Sequence, residues 1–331
     1  MPIVSVIVPN YNHAKFLDQR IDSIINQTYQ QFELIILDDC STDNSREIIE
    51  QYRMHPKVSK IVFNEVNSGS PFEQWEKGIG LATGEYIWIA ESDDYADERF
   101  LESLMALIKI EPETGLAYCG SYSVDEQGNK LDELMWDIEN NRGNYYCNTG
   151  KFVCINYLFF RPIIPNASAV IFKRDAFKNV DAGFKQYTIC GDWQFWIDVC
   201  YPSKIVWLPV PLNFFRQVNT SVSRKYSSDS YKRFLLETLK IALHIQERSK
   251  GLMPPVNIRK FIDNFLFIIE LEFFRKKISL NGSEVKWIYQ SLNRLSPLIT
   301  WFFFKALSKV AIAALGAKKR KLLYIIDERN R

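Results

Sequence analysis

Apolar residues run almost unbroken from Val4 to Val8 and stop at Pro9-Asn10, the pattern of a strand buried on both faces of a parallel sheet. From Ala14 to Thr28 the period changes. Phe16, Leu17, Ile21, Ile24 and Ile25 fall at helical spacing, and Phe32 to Leu37 then forms a second apolar strand. That strand ends in Asp38-Asp39-Cys40-Ser41-Thr42-Asp43, with Asp43 or Ser45 the expected N-cap of a helix running to Tyr52. A third strand near Lys60–Phe63, a helix over Phe72–Ala82 and a fourth strand over Tyr86–Ala90 carry the alternation to Glu91-Ser92-Asp93-Asp94. Such alternation predicts an α/β fold with a doubly wound, mostly parallel sheet flanked by helices. Ligands of open parallel sheets bind beyond the carboxyl ends of the strands. Pro9–Asn12, Asp38–Asp43 and Glu91–Tyr95 should therefore converge on one crevice.

Beyond Leu116–Tyr118 and the turn at Glu126-Gln127-Gly128-Asn129 the periodicity weakens. It returns as a helix near Phe152–Phe160, a strand near Ala169–Phe172 and a helix over Asp192–Cys200. From Tyr231 the pattern is helical, over Tyr231–Glu247, Val256–Lys277 and Ser283–Asn293, which puts a domain boundary between Ser227 and Gly251. Residues 298–315 form a further apolar stretch followed by Lys318-Lys319-Arg320-Lys321. As a helix it is about 27 Å long, barely a membrane span. Lys305, Ser308 and Lys309 give it one polar stripe, and each central Lys would cost roughly 2.5–3.5 kcal/mol in a bilayer core. A helix lying in an anionic membrane interface fits better than a spanning one. A helix packed against the α/β domain or across a homodimer is the alternative.

The 331 residues suffice for one large domain and an appendage, and the 47% hydrophobic, 24% charged composition excludes a disordered or coiled-coil chain. A net charge of +2 hides an asymmetry: about 26 basic against 33 acidic residues up to Lys250, then 15 against 6. No uniformly basic face for nucleic acid results. Six scattered cysteines without a CxxC pair, and an N-terminus without signal-peptide layout, point to free thiols and a cytoplasmic setting. His13, His55 and His244 lack HExxH spacing, so they read as surface histidines and any metal should be oxygen-ligated.

Adjacent carboxylates at a strand end, Asp93 and Asp94, repel one another unless a cation or hydrogen bonds offset the charge. Mg2+ or Mn2+ bridging a diphosphate is a natural partner, since hard cations take carboxylate oxygens and keep waters or phosphate oxygens as further ligands. The plainer alternative is a cap on a helix opening near Asp97-Glu98. An NAD-type site is excluded, because Pro9-Asn10-Tyr11-Asn12-His13 offers none of the glycines of GxGxxG.

Taken in order, Val4-Ser5-Val6-Ile7-Val8-Pro9-Asn10-Tyr11-Asn12, Gln27-Thr28, Phe32 to Asp43, Ala82-Thr83-Gly84-Glu85-Tyr86-Ile87 and Glu91-Ser92-Asp93-Asp94 resemble the GT-A glycosyltransferases of family 2. The resemblance covers roughly Pro2 to Ser223. It implies a Rossmann-like GT-A catalytic domain over 1–227, with a nucleotide half to about 115 and an acceptor half from about 116, and a helical region over 228–331. It also implies an inverting enzyme that uses a nucleotide-diphosphate sugar and a divalent metal. In this likeness Pro9, Tyr11 and Asn12 line the nucleotide pocket and Asp39 accepts a hydrogen bond from the base, typically uracil. Asp93 lies near the ribose or metal waters, and Asp94 ligates the metal.

Cys190-Gly191-Asp192-Trp193 resembles the family's second acidic motif, which makes Asp192 the base that deprotonates the acceptor hydroxyl; a plain helix N-cap is the alternative. Trp193 either stacks on a sugar or sits in the core. Two departures stand out. Val218 occupies the place of a loop histidine that reaches the metal in relatives, leaving Arg216, Arg224 and Lys225 as candidates to neutralise the diphosphate. Ser70 to Lys77 replaces the common Ala-Arg-Asn after Asn-x-Gly, with Lys77 or Trp75 as candidate substitutes.

The expected enzyme moves a sugar, from a UDP-sugar by preference, to a saccharide or lipid-linked acceptor in surface polysaccharide or glycolipid synthesis. It would work in the cytoplasm, peripheral to the inner membrane face. Two rivals are a silent nucleotide-sugar-binding or scaffold subunit and a nucleotidyltransferase, the latter lacking its glycine-rich basic phosphate loop here. Donor sugar and linkage reside in loops that no motif spells out.

Overall fold

The computed structural model describes residues 3–134, 144–164, 166–218, 228–275 and 278–297. The chain divides into two compact units, Met1–Arg224 and Lys225–Arg331. In the first, elements follow one another as β1 (Val4–Asn10), α1 (Ala14–Ile25), β2 (Phe32–Asp38), α2 (Ser45–Gln51), β3 (Val58–Phe63), α3 (Pro71–Leu81) and β4 (Tyr86–Ile89). Then come β5 (Tyr95–Ala96), α4 (Phe100–Ile110), β6 (Thr114–Val124), β7 (Lys130–Leu134), β8 (Tyr146–Thr149), α5 (Gly150–Val153), β9 (Val170–Lys173), α6 (Gly191–Cys200) and β10 (Lys204–Arg216).

One ten-stranded sheet runs in the order β3-β2-β1-β4-β9-β6-β10-β5, with β7 on β6 and β8 on β10. It is parallel from β3 to β4, where helices supply the crossovers. Past β4 it becomes mixed: β9 runs antiparallel to both β4 and β6, while β10 is parallel to β6. Every residue of β1 and β2 is buried, as their unbroken apolar runs require.

The start of this sheet contains one polar knot. Glu33 accepts from Ser5 Oγ at 2.6 Å, Thr83 Oγ1 at 2.6 Å and Thr83 N at 2.8 Å. Gly84 closes against it, since a Cβ there would stand 2.8 Å from the Ser5 backbone nitrogen. The Ala-Thr-Gly-Glu-Tyr segment is thereby locked beside β1 before β4 begins.

The second unit holds α7 (Ser228–Ser249), α8 (Pro255–Phe274) and α9 (Gly282–Leu295). Asn281 opens α9 with a capping box, its side chain accepting from Glu284 N while Glu284 reaches back to Asn281 N. α9 packs on α7, joined by Lys232 to Glu284 at 3.0 Å. No helix among the described residues is long and apolar enough to cross a membrane. The apolar stretch 298–315 lies outside the described residues.

Candidate active site

Three strand ends meet around a cavity of about 370 Å3 lined by Pro9, Asn10, Tyr11 and His13 after β1, Asp39 after β2, and Glu91, Ser92 and Asp93 after β4. The segment before α3 (Asn67, Gly69, Ser70), with Pro71 and Gln74, forms another wall, and Val218 completes the lining after β10. This is the convergence that the strand-end rule predicts.

The turn after β1 is fixed from β2. Asn12 adopts a left-handed φ of 57°, and its Oδ1 accepts from Thr42 N at 2.7 Å while its own N–H donates to Ser41 Oγ at 2.9 Å. Asn12 thus shapes the pocket without lining it. Asp43 links two helix starts, accepting from Ala14 N at 2.9 Å and from Ser45 N at 3.0 Å.

Asp39 is nearly buried, 4% exposed, and anchored from several sides. Its Oδ1 accepts from Asn64 Nδ2 at 2.6 Å and Gln74 Nε2 at 2.9 Å, and its Oδ2 from Ser68 Oγ at 2.7 Å. Ser68 N spans both oxygens, at 3.0 and 3.1 Å. Lys77 lies outside the cavity lining and donates to Asn64 Oδ1, so it supports this network from behind.

The acidic loop after β4 splits its carboxylates. Asp94 is 1% exposed and does not line the cavity. Its Oδ1 accepts from Arg216 N at 2.8 Å and its Oδ2 from Asn166 Nδ2 at 2.7 Å. Both oxygens of Asp94, the residue expected to ligate a metal, are thus engaged by protein donors. Asp93 lines the cavity, and its carboxylate has no hydrogen-bond or ion-pair partner among the described residues. Neither residue caps α4, whose N-cap is Arg99.

Beside Asp93, Glu91 accepts from Trp75 Nε1 at 2.8 Å. Burial above all, then the charge of Asp93, pushes Glu91 up to about 8 and Asp94 up to about 7. Beneath them lies Arg20, 0% exposed, its guanidinium 4.9 Å from the Trp88 ring and without a hydrogen-bond partner among the described residues. Burial lowers it to about 10, while Asp94, Glu91 and Asp93 oppose that shift.

Arg216 is not a free cation for a phosphate. At 2% exposure it donates Nε to Asp93 O at 2.7 Å, Nη1 to Glu126 O at 2.9 Å and to Asp125 O at 3.1 Å, and Nη2 to Gln19 Oε1 at 2.5 Å. It braces the acidic loop from below. Arg224 and Lys225 lie outside the described residues.

On the acceptor side, Asp192 stands in the first turn of α6, where its Oδ1 accepts from Trp193 N at 2.8 Å. It does not line the cavity, yet this turn abuts the wall: a Cβ on Gly191 would come within 2.4 Å of the Phe72 ring, next to the lining Pro71. Trp193 is a core residue. It is 2% exposed and its Nε1 donates to Leu158 O at 3.0 Å, which removes it from any sugar contact.

Sequence reasoning passed over His13, Gln74, Asn67 and Ser70 as lining residues. His13 is half-buried, its Nδ1 lying 2.8 Å from Ser92 Oγ. A signal was present in the position of His13 between the first strand and its helix.

A family model described as Glycosyl transferase family 2 matches residues 5–180, more than half of the chain. This chain belongs to glycosyl transferase family 2. The family 2 chain is 29% identical over 288 residues to the glycosyltransferase GlyG of Streptococcus pneumoniae serotype 4, covering 84% of this chain and 80% of that protein. It is 37% identical over 108 residues to the poly(ribitol-phosphate) beta-N-acetylglucosaminyltransferase TarS of Staphylococcus aureus. That match covers 31% of this chain and spans 18% of TarS. The crystal structure of S. aureus TarS 1-349 superposes with a TM-score of 0.64 at 20% identity, covering 94% of this chain and 88% of that one. The same fragment in complex with UDP-GlcNAc gives 0.57 at 20% identity, covering 80% and 81%. The fold is thus that of a GT-A glycosyltransferase, and the family 2 chain is an enzyme of glycosyl transfer.

Proposed function

We propose that this family 2 enzyme is an inverting glycosyltransferase that takes a nucleotide-diphosphate sugar, UDP-linked by preference, and passes the sugar to a saccharide or lipid-linked acceptor of a surface polysaccharide. The carrying observation is the cavity itself, with the anchored carboxylate of Asp39 at one wall and, at another, the carboxylate of Asp93, which has no partner among the described residues. Asp39 Oδ1 accepts from Asn64, Gln74 and Ser68 N and its Oδ2 from Ser68 Oγ and N, so the N–H edge of a base such as uracil would pair with this carboxylate by displacing a Ser68 donor, and Pro9 and Tyr11 line the approach. The preference for UDP draws on TarS, whose fragment is solved with UDP-GlcNAc.

A divalent cation fits the donor set. Asp93 and Glu91 are hard oxygen ligands lining one cavity, and no group of three or more ligating side chains is assembled among the described residues, so phosphate and water oxygens would complete the shell. Asp93, with Glu91 beside it, would hold Mg2+ or Mn2+, which when bound offsets the negative charge of the diphosphate leaving group. Arg20 supplies a fixed positive charge below and limits the mutual repulsion of the three carboxylates.

Asp192 is the proposed base. It takes the proton of the acceptor hydroxyl as that oxygen attacks the anomeric carbon from the face opposite the diphosphate, which inverts the centre without a covalent intermediate. The test is product analysis with UDP-sugars: free UDP and an inverted anomeric linkage are expected. Asp192→Asn should lower kcat about 10^2- to 10^4-fold with donor affinity retained. A retained linkage, or full activity in Asp192→Asn, contradicts the reading.

A further inference from the structure

A diphosphate brings two or more negative charges, and the cavity proposed for it already contains the carboxylates of Asp39, Glu91 and Asp93. Among the described residues that line that cavity, none is Lys or Arg, and the one nitrogen base is His13. Val218, 4% exposed and apolar, adds no polar group to the same cavity. Of the cations expected nearby, Arg216 is committed to backbone carbonyls and Gln19, and Lys77 to Asn64, while Arg224 and Lys225 lie outside the described residues.

His13 is held for use. Its Nδ1 lies 2.8 Å from the hydroxyl of Ser92, the residue between Glu91 and Asp93, so the ring is pinned to the acidic loop. A serine hydroxyl can donate to Nδ1, which leaves the ring hydrogen on Nε2. Nε2 has no partner among the described residues. We propose that His13 Nε2 donates to a phosphate oxygen of the bound nucleotide, from the β1 side of the pocket. The inference rests on the nucleotide-sugar reading of the cavity and assigns a residue of that same site.

The test compares affinities for UDP, with Mn2+ present, and for uridine, which lacks the phosphates, by titration calorimetry and ligand-observed NMR. His13→Ala should weaken UDP at least about tenfold and leave uridine unchanged, as expected for one hydrogen bond to a charged group. His13→Asn keeps a polar group near Ser92 and lacks the Nε2 donor, so it should show the same loss. If either variant keeps the wild-type ratio of UDP to uridine affinity, or if Asn restores UDP binding, the proposal is overturned and His13 only shapes the loop. If wild type binds neither ligand, the nucleotide reading of the cavity fails, and the proposal with it.

Discussion

The indole nitrogen of Trp75 donates to Glu91 Oε1 at 2.8 Å, tying α3 to the acidic loop after β4. Trp75 also packs edge-on against Phe72 and Phe195, with ring centroids 5.1 and 5.3 Å away. One side chain thus joins the cavity wall formed by α3, the acidic loop and α6, which carries Asp192. Trp75→Phe keeps most of the packing and removes the donor. It should destabilise the protein by about 1–3 kcal/mol, since Glu91 loses its partner. Denaturant unfolding checks this, and a change below about 0.5 kcal/mol would contradict it.

Glu91 and Asp94, pushed up to about 8 and about 7, make stability depend on pH. Below the ordinary carboxylate range both states hold these protons. Between there and pH 8 the folded protein keeps protons that the unfolded chain has released, so the metal-free protein loses stability as pH rises through this window. Glu91→Gln should flatten the upper part of that decline. Melting temperatures recorded from pH 5 to 9 with chelator, in both proteins, decide the matter; parallel curves would refute it.

Arg20 opposes the same carboxylates from beneath. Arg20→Met removes the buried charge and should destabilise by about 3 kcal/mol at pH 8. The loss should shrink near pH 5, where Glu91 and Asp94 hold their protons. An equal loss at both pH values would mean that Arg20 acts by packing on Trp88 alone.

Arg216 divides its donors among three carbonyl oxygens and Gln19 in a planar fork that no lysine can copy. Arg216→Lys is expected to cost about 2 kcal/mol and loosen the loop that bears Asp93. Unfolding measurements test the first effect. Weaker Mn2+-dependent nucleotide binding tests the second.

The parallel half of the sheet was legible because β1, β2 and β4 are apolar runs closed by turn residues, and their ends predicted the crevice. β10 was not, since Pro209 and Pro211 interrupt Lys204 to Arg216 and read as breaks. The structure admits Pro211 at register shifts against β6, between Leu208 and Pro211 and between Pro211 and Asn213. The fate of the paired aspartates was equally hidden. Asp94 turns inward because Asn166 and the Arg216 backbone, 72 and 122 residues away in sequence, reach its oxygens. Spacing within Glu91-Ser92-Asp93-Asp94 contains no record of those partners. The same holds for Trp193, whose Leu158 acceptor lies 35 residues back.

A thermal-shift panel of UDP, GDP, dTDP and CMP, each with and without Mn2+, on wild type and Asp93→Asn tests the central claim most directly. A ligand at 100 times its Kd stabilises by about 2.7 kcal/mol. A Mn2+-dependent rise with UDP in wild type, absent from a folded Asp93→Asn, is the predicted result. No rise with any nucleotide, or an equal rise in both proteins, would contradict the assignment of this cavity as the donor site.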